Sequence, residues 1–337
     1  MTLQERINAF VKLGERISKI EGEEFQDLAR RVENNNSWFT PQSTKQALDS
    51  LAALLDEGSL RAWASQYALK DKVEAKEIGV MMAGNVPAVG FHDMMCVVIS
   101  GHKMHGKLSS TDEVLMKWIS SELKKIAPEM ENYISFQDML KGKAAYIATG
   151  SDNSARYFDY YFGKYPHIIR KNRTSVAVLR GGETVEDYVA LGQDIFLYFG
   201  LGCRNISKLY IKEEQQLQHF LDAIESYNTI IHHHKYRNNY DYNKSIYLVN
   251  QRPHLDNGFL LLTTDDHLVS PISVLYYDIY EDEEQLSKKL ESQQDKIQCI
   301  VSKDGSLENS IPFGDAQCPG VRDYADDVDT MEFLISL

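Results

Sequence analysis

The first 75 residues carry hydrophobic positions at helical spacing. Leu3, Ile7 and Phe10 fall on one face of a helix. Thr40 followed by Pro41 is typical of the cap and the first residue of another helix. We therefore predict a helical N-terminal region over residues 1–75, in which nothing combines groups that do chemistry.

Beyond Glu77 the pattern changes to short apolar strands that alternate with helices. This alternation predicts a mostly parallel, doubly wound sheet, in which ligands bind at the carboxyl ends of the strands. The turns Gly84-Asn85 and Gly150-Ser151 lie at such ends. The predicted strands are residues 78–82, 103–108, 144–148 and 175–179.

The turn after the second of these strands also precedes a helix. Ser110 and Glu113 have the spacing of a capping box, which predicts that the helix starts here. Lys107 and Ser109 lie in the same turn, so polar groups gather at this strand end.

A second set of strands and helices follows residue 184. We predict a helical region at 1–75, a nucleotide-binding domain at 76–183 and a catalytic domain at 184–337, whose C-terminal tail packs back. The cleft between the two domains would be the place for a ligand. The strands of the second set are predicted at 208–211, 259–262, 272–277 and 297–301, and its later helices at 213–233 and 283–290.

Cys203 follows the turn Gly200-Leu201-Gly202 and precedes a predicted strand. Glycine takes positive φ angles at low cost and has no side chain, so this turn can present a thiol in the open. We therefore treat Cys203 as a candidate nucleophile, with a small buried hydrophobic residue as the alternative. A helix ending just before Cys203 would oppose this role, because its negative dipole end raises the pKa of a thiol.

Composition limits the class of function. Of the 337 residues, 43% are hydrophobic, which is enough for a sizeable core and more than one domain. The 36 Lys and Arg residues against 49 Asp and Glu residues give a net charge of −13, which argues against a nucleic-acid-binding surface. Four widely separated cysteines, with no signal peptide and no apolar run that could span a membrane, predict a soluble cytoplasmic protein.

Three further patterns have ordinary explanations. No Gly-x-Gly-x-x-Gly follows a strand, so a nucleotide would be held by single turns. His232-His233-His234 would point in different directions on a helix, so we predict a polar helix end and no metal site. The basic run from Arg170 to Arg173 predicts a solvated face, with a seat for a cofactor or coenzyme A phosphate as the alternative.

Several of these motifs, taken in order, resemble those of the acyl-CoA reductases typified by the reductase subunit of bacterial luminescence systems. That family is a branch of the aldehyde dehydrogenase superfamily. The resemblance covers about residue 78 to the C-terminus and implies an aldehyde dehydrogenase-like α/β fold with a Rossmann-type nucleotide-binding domain. The motifs are Gly84-Asn85-Val86-Pro87, Lys107-Leu108-Ser109-Ser110, Thr149-Gly150-Ser151, Gly200 to Asn205, Ser270-Pro271 and Phe313 to Asp326.

The resemblance implies a role for each matched residue. Cys203 would be the acyl-accepting nucleophile, Asn85 an oxyanion donor, and Lys107 the partner of the adenine ribose. Ser110 stands where NAD-preferring relatives tend to carry a carboxylate, and a hydroxyl does not repel a 2′-phosphate. NADPH is therefore the expected cofactor, with NADH as the alternative. The cofactor-binding residues would be Gly84, Lys107, Ser109, Ser110, Thr149, Gly150 and Ser151.

The sequence departs from the superfamily pattern at two places. Hydrolytic members carry a general-base Glu before the cysteine, whereas residues 170–175 contain no carboxylate. The Glu that holds the nicotinamide ribose is also missing, because residues 267–271 stand in its place. The first departure favours a thioester partner over a carboxylic acid product, because no residue activates water.

These expectations combine into one reaction: reduction of a fatty acyl-CoA thioester to the aldehyde with NADPH, through an acyl-cysteine at Cys203. One alternative is a non-redox acyltransferase or thioesterase that pairs Cys203 with a histidine such as His167. The other is a catalytically degenerate structural subunit. The resemblance also implies an acyl-donating synthetase or transferase as partner, and it leaves the chain length and the homo-oligomeric state open.

Overall fold

A computed structural model describes residues 1–337, apart from the side chain of Asp152. The chain forms two compact units. The first consists of Met1–Asn172 together with Pro319–Leu337, and the second of Arg173–Cys318.

The helices and strands are numbered here in chain order. The helices are α1 (Leu3–Ile17), α2 (Gly22–Asn35), α3 (Pro41–Leu54), α4 (Glu57–Ala64), α5 (Phe91–Ile99), α6 (Glu113–Ile126), α7 (Asp152–Phe162), α8 (Val185–Phe196), α9 (Gln215–Ala223), α10 (His234–Val249), α11 (Glu283–Glu291) and α12 (Thr330–Ser336). The strands are β1 (Glu77–Met81), β2 (Lys103–Lys107), β3 (Ile134–Phe136), β4 (Ala145–Thr149), β5 (His167–Arg170), β6 (Thr174–Leu179), β7 (Ile206–Ile211), β8 (Leu255–Asp256), β9 (Leu261–Thr264), β10 (Val274–Ile279), β11 (Ile297–Ser302) and β12 (Ser310–Pro312).

Helices α1 to α4 confirm the predicted helical N-terminal region. Thr40 caps α3 by accepting a hydrogen bond from the backbone of Ser43, and Pro41 is the first helical residue, as predicted. The apolar face of α1 buries Ile7 and Phe10 in the core of the first unit. This region packs against α5 and α6, so it covers one face of the sheet.

The strands of the first unit form one parallel sheet in the order β3-β2-β1-β4-β5. Strands β1, β2 and β4 confirm three predicted strands, whereas β3 and β5 were not predicted. The chain leaves β1 toward β2 on one side and returns to β4 on the other. This reversal is the topological switch point at which parallel sheets bind ligands.

The strands of the second unit form another sheet in the order β12-β11-β6-β7-β10-β9-β8, in which β8 pairs antiparallel with β9. The neighbouring pairs from β12 to β9 are parallel. Strand β6 falls within the first domain predicted from the sequence, which ends at residue 183. Its backbone pairs with β7 and β11, so β6 belongs to the second unit, which begins at Arg173.

The single helix predicted for residues 213–233 is instead split. Helix α9 ends at Ala223, 3-10 turns cover Ile224–His232, and His233 caps the new helix α10. The histidine run therefore lies at the start of a helix, where the side chain of His233 accepts a hydrogen bond from the backbone of Tyr236. Helix α10 was missed because its buried face is built on tyrosine and asparagine, which hydrophobic patterning does not detect.

The C-terminal segment Pro319–Leu337 belongs to the first unit. The indole nitrogen of Trp63 donates to the Tyr324 hydroxyl at 2.9 Å. Arg170 is buried at the end of β5, where it donates to the Asp93 carboxylate at 2.7 Å and to the Thr330 hydroxyl of α12 at 2.8 Å. Arg170 thus binds the tail to the sheet, and the prediction of a solvated face is wrong for this residue.

Candidate nucleotide end and thiol turn

The turns after β1 and β2 are joined at the carboxyl edge of the first sheet. The Thr111 hydroxyl donates to the Gly84 carbonyl oxygen at 2.6 Å, and it lies 2.8 Å from the Ser109 hydroxyl. A Cβ atom on Gly84 would lie 2.4 Å from Thr111 Oγ1 and 2.6 Å from the Ser109 side chain. Glycine is required at this position because the two turns approach so closely.

Asn85 is exposed in the turn that Gly84 begins. Three residues later Ala88 takes a φ of 58°, which is a strained conformation for alanine. Its backbone N–H donates to Asp112 Oδ2 at 2.8 Å. The buried Asp112 carboxyl therefore holds the backbone of the turn that carries Asn85.

Burial raises the pKa of Asp112 well above its ordinary value, and the bond from Ala88 offsets only part of that effect. Within the described residues, Asp112 Oδ1 has no hydrogen-bond partner. The predicted capping box is wrong: α6 begins at Glu113, and Asp112 at its cap makes no side-chain bond to the helix. The Asp112 side chain points to Ala88 instead, which a local pattern could not reveal.

Lys107 and Ser110 are both exposed beside this turn. Lys107 ends β2, and its carbonyl oxygen accepts from the backbone of Met82 at 3.0 Å. The carbonyl oxygen of Ser110 accepts from the Asn35 side chain at 2.9 Å. These bonds fix the backbone of both residues at the edge of the sheet.

Thr149, Gly150 and Ser151 lie at the carboxyl end of β4, next to β1 in the sheet. Ser151 caps α7 by accepting from the backbone of Ser154 at 3.2 Å. A Cβ atom on Gly150 would lie 2.8 Å from the ring of Phe158. The N-termini of α6 and α7, the glycine turns and the hydroxyls together suit a phosphate-bearing ligand.

Cys203 lies in the second unit on a strongly bent turn. Phe199, Gly200 and Gly202 have φ angles of 58°, 83° and 101°. Helix α8 ends at Phe196, so the expectation of a helix that ends just before Cys203 is wrong. Because a helix dipole acts within its last turn, its expected opposition to a thiolate at Cys203 falls away.

The Cys203 turn is bound to β6 by Ser175, whose side chain is buried. The Ser175 hydroxyl donates to the Cys203 carbonyl oxygen at 3.0 Å, and the Ser175 backbone N–H donates to the Asn205 carbonyl oxygen at 3.0 Å. Cys299 of β11 lies on the other side of Ser175, with Sγ at 3.0 Å from the hydroxyl oxygen. No pattern in the sequence pointed to a role for Ser175 or Cys299, because the two residues lie far apart in the chain.

A buried carboxylate of α8 binds the backbone of residues 314–316, which Arg204 also contacts. Asp194 accepts from the backbone N–H groups of Gly314 at 2.7 Å and Ala316 at 3.0 Å. Burial raises the pKa of Asp194 to about 7, against the lowering effect of these two bonds. The Ala316 carbonyl oxygen in turn accepts from the Arg204 guanidinium at 3.4 Å, next to Cys203.

The histidines considered in the sequence have other contacts. His167 begins β5 in the first unit, where its Nδ1 lies 2.8 Å from the Tyr165 carbonyl oxygen. His267 is exposed and contacts the Asp265 carboxylate at 2.6 Å. Throughout the described part of the chain, no group of three or more His, Cys, Asp and Glu side chains could hold a metal ion.

The structure therefore brings Gly84 and Ser109 together and places Gly150 on the adjacent strand end, all within the first unit. Asn85 belongs to the first unit and Cys203 to the second, so their predicted partnership stays a prediction. Among the helices that the structure describes, none has both the length and the apolar character needed to cross a bilayer.

No protein-family model matches the sequence, and a comparison with curated proteins gives no match. Solved structures do match in fold. Aldehyde dehydrogenase 21 from Physcomitrella patens, in complex with succinate, has a TM-score of 0.68 at 11% identity, over 100% of this chain and 84% of that one. An aldehyde dehydrogenase from Mycobacterium tuberculosis complexed with NAD+ has a TM-score of 0.62 at 11% identity, over 90% of this chain and 73% of that one.

A third structure shows the same likeness. NADP-dependent glyceraldehyde-3-phosphate dehydrogenase from Bacillus halodurans, complexed with NADP, has a TM-score of 0.62 at 9% identity, over 90% of this chain and 74% of that one. Identities this low show the fold alone. The chain thus has an aldehyde dehydrogenase-like α/β fold with a helical N-terminal region.

Proposed function

We propose that this protein reduces a fatty acyl-CoA thioester to the aldehyde with NADPH, through an acyl-cysteine at Cys203. The observation that carries the proposal is the position of Cys203: a partly buried thiol on a turn of positive φ angles, held by Ser175, in an aldehyde dehydrogenase-like fold. The ordered motifs of the acyl-CoA reductases narrow the reaction within that fold.

The carboxyl edge of the first sheet is the place where we expect a nicotinamide dinucleotide to bind. Gly84 lets the turns after β1 and β2 approach closely, Gly150 packs against Phe158, and Ser151 caps α7, whose N-terminus would favour a pyrophosphate. Lys107 would hold the adenine ribose, with the hydroxyls of Ser109 and Ser110 beside it and Thr149 at the end of β4. A bound cofactor would supply the hydride that reduces the acyl carbon.

The choice of NADPH rests on Ser110. Its exposed side chain is a hydroxyl, which does not repel a 2′-phosphate as a carboxylate would. Two of the solved structures with this fold are complexed with NADP and one with NAD+, so the fold itself accommodates either cofactor.

The chain's own groups would carry out acyl transfer. The Cys203 thiolate attacks the thioester carbonyl carbon, the new carbon–sulfur bond forms, and coenzyme A leaves as its thiolate and takes up a proton. The Asn85 amide would donate to the oxyanion; loss of one such donor typically lowers the rate about a hundredfold or more.

The fate of the acyl group follows from residues 170–175. Arg170 is bound to Asp93, and Ser175 donates to the backbone of Cys203. The segment contains no carboxylate that could activate water. We therefore propose that the acyl-cysteine exchanges with thioesters and is reduced, and that it is not hydrolysed. An acyl-donating synthetase or transferase remains a predicted partner.

One experiment separates the proposal from its alternatives. The protein is mixed with a long-chain acyl-CoA and NADPH, and NADPH absorbance, aldehyde and released coenzyme A are followed together. Loss of NADPH with formation of aldehyde supports the reductase. Release of coenzyme A without loss of NADPH indicates a transferase or thioesterase, and the absence of both indicates a structural subunit.

The nucleophile is tested by intact mass. Cys203→Ala should abolish the acyl adduct that forms when the protein is mixed with acyl-CoA alone. Cys318→Ala is the matched control, because Cys318 is an exposed thiol in the same unit. Persistence of the adduct in Cys203→Ala would reject the assignment.

A further inference from the structure

Ser175 has a hydroxyl that lies within hydrogen-bond distance of three groups from other parts of the chain. Its hydroxyl is buried near the start of β6 and lies 3.0 Å from the Cys203 carbonyl oxygen, 3.0 Å from Cys299 Sγ and 3.1 Å from the Cys299 backbone nitrogen. Cys203 lies 28 positions away in the chain and Cys299 lies 124 positions away. The hydroxyl therefore joins the thiol turn to two strands of the second sheet.

The direction of each hydrogen bond follows from counting protons. A serine hydroxyl has one proton to donate and two lone pairs that accept. The Cys203 carbonyl oxygen can only accept, so it receives the Ser175 proton. The two lone pairs of Ser175 then accept from the backbone N–H and the thiol of Cys299. Burial raises the pKa of Cys299, which agrees with a protonated thiol in the donor role.

The same residue also holds the turn through its backbone. The Ser175 N–H donates to the Asn205 carbonyl oxygen at 3.0 Å, so Ser175 binds the residues on both sides of Arg204. The turn lies beyond the end of α8, and its residues Phe199, Gly200 and Gly202 take positive φ angles, so the bonds from Ser175 add support from a neighbouring strand.

We propose that Ser175 is a positioning residue for Cys203: its hydroxyl fixes the carbonyl of Cys203 and thereby the direction in which the thiol points. The chemical meaning of this inference rests on the proposed function, since the thiol must reach an acyl carbon. In the resemblance, residues 170–175 replace the segment that carries a water-activating Glu. At Ser175 this chain thus has a hydroxyl that orders the nucleophile's backbone.

The test compares three variants. Ser175→Ala removes the hydroxyl, and Ser175→Thr keeps it on a β-branched residue that suits a strand. Ser302→Ala is the control, because Ser302 is another fully buried serine of the same sheet, and its described side-chain bonds are to Ser310 and Leu307. Two readouts are used: hydrogen–deuterium exchange of the peptide covering residues 197–205, and the single-turnover rate of acyl-adduct formation from acyl-CoA.

Ser175→Ala should speed amide exchange in residues 197–205 and slow adduct formation at least about tenfold, since small misplacements of a reacting group are costly. Ser175→Thr should restore both, and Ser302→Ala should change neither. Unchanged exchange of residues 197–205 in Ser175→Ala would overturn the inference. Equal effects of Ser302→Ala would overturn it as well, because they would reveal general destabilisation.

Failure of this inference differs from failure of the proposed function. If the wild-type protein forms no acyl adduct, the proposed function fails, while the exchange of residues 197–205 still decides whether Ser175 orders the turn. If the adduct forms and Ser175→Ala forms it at the wild-type rate, the function stands and the positioning role is rejected.

Discussion

Two glycine turns, one in each unit, use glycine for different physical reasons. At Gly84 the requirement is space, because a Cβ atom would lie 2.4 Å from Thr111 Oγ1. At Gly200 it is backbone conformation: φ is 83°, and among the described atoms the nearest to an added Cβ is 3.8 Å away. Glycine turns that look alike in sequence therefore respond to different substitutions.

Each unit also has a buried aspartate with a raised pKa that binds an irregular backbone segment. Asp112 accepts one backbone N–H, from Ala88, whereas Asp194 accepts two, from Gly314 and Ala316. Burial is the main cause of both shifts. A buried carboxyl that bonds backbone N–H groups can hold an irregular segment without help from a regular helix or strand.

Asp194→Asn should have the largest effect, seen in the pH dependence of stability. The pKa of Asp194 is about 7 in the folded protein and about 4 in the unfolded chain. The stabilisation of the folded state by protonated Asp194 is therefore complete below the pKa of the unfolded chain. It is lost as the pH rises through the pKa of the folded protein. Between about pH 5 and about pH 8 the free energy of unfolding of the wild type should fall by about 2–3 kcal/mol more than that of Asp194→Asn. Urea unfolding of both proteins measures this, and parallel pH curves would contradict it.

Gly84→Ala should have the next largest effect. The added methyl group must displace Thr111 or Ser109, which typically costs about 1–3 kcal/mol in a packed site. Under the proposed function the affinity for NADPH should fall with it, and a fluorescence titration measures that. Gly320→Ala, in the same unit, is the control for general glycine effects, since the φ of Gly320 is not positive and an added Cβ there would lie at an ordinary 3.5 Å from Asp323 Oδ2. An unchanged NADPH affinity in Gly84→Ala would remove this turn from the cofactor site.

Gly200→Ala should destabilise the protein by about 1–2 kcal/mol, because alanine is strained at positive φ. Gly200→Asn should be milder, because asparagine tolerates this region of φ and a Cβ atom there keeps ordinary contact distances. Thermal unfolding of the two variants gives the comparison. If the two variants lose equal thermal stability, the requirement at Gly200 is for space, as at Gly84, and not for a positive φ.

Asp112→Ala should cost about 1 kcal/mol more than Asp112→Asn. The asparagine oxygen still accepts from the Ala88 N–H, whereas alanine leaves that donor buried without its acceptor. Chemical denaturation of both variants measures the difference. If the two substitutions cost the same, the bond to Ala88 does not support the turn.

Much of the fold could be predicted because local patterns encode it. The cap at Thr40, the strands near Ile78 and Met104 and the turn at Gly84 are all set by residues close together in sequence. The polar residues at the strand ends, such as Lys107 and Ser151, could be predicted for the same reason. Helix α10 and strand β5 were missed, since tyrosine-rich and short segments carry little hydrophobic periodicity.

Local patterns in the chain were enough to predict the alternation of strands and helices, the glycine turns, and the place of Cys203 directly after one of these turns. The tertiary structure decided which sheet β6 joins, that Arg170 is buried against Asp93, and that Ser175 bridges Cys203 and Cys299. The reason is physical: periodicity records which face of an element is buried, whereas a hydrogen bond between distant positions depends on strand order, which no local pattern contains.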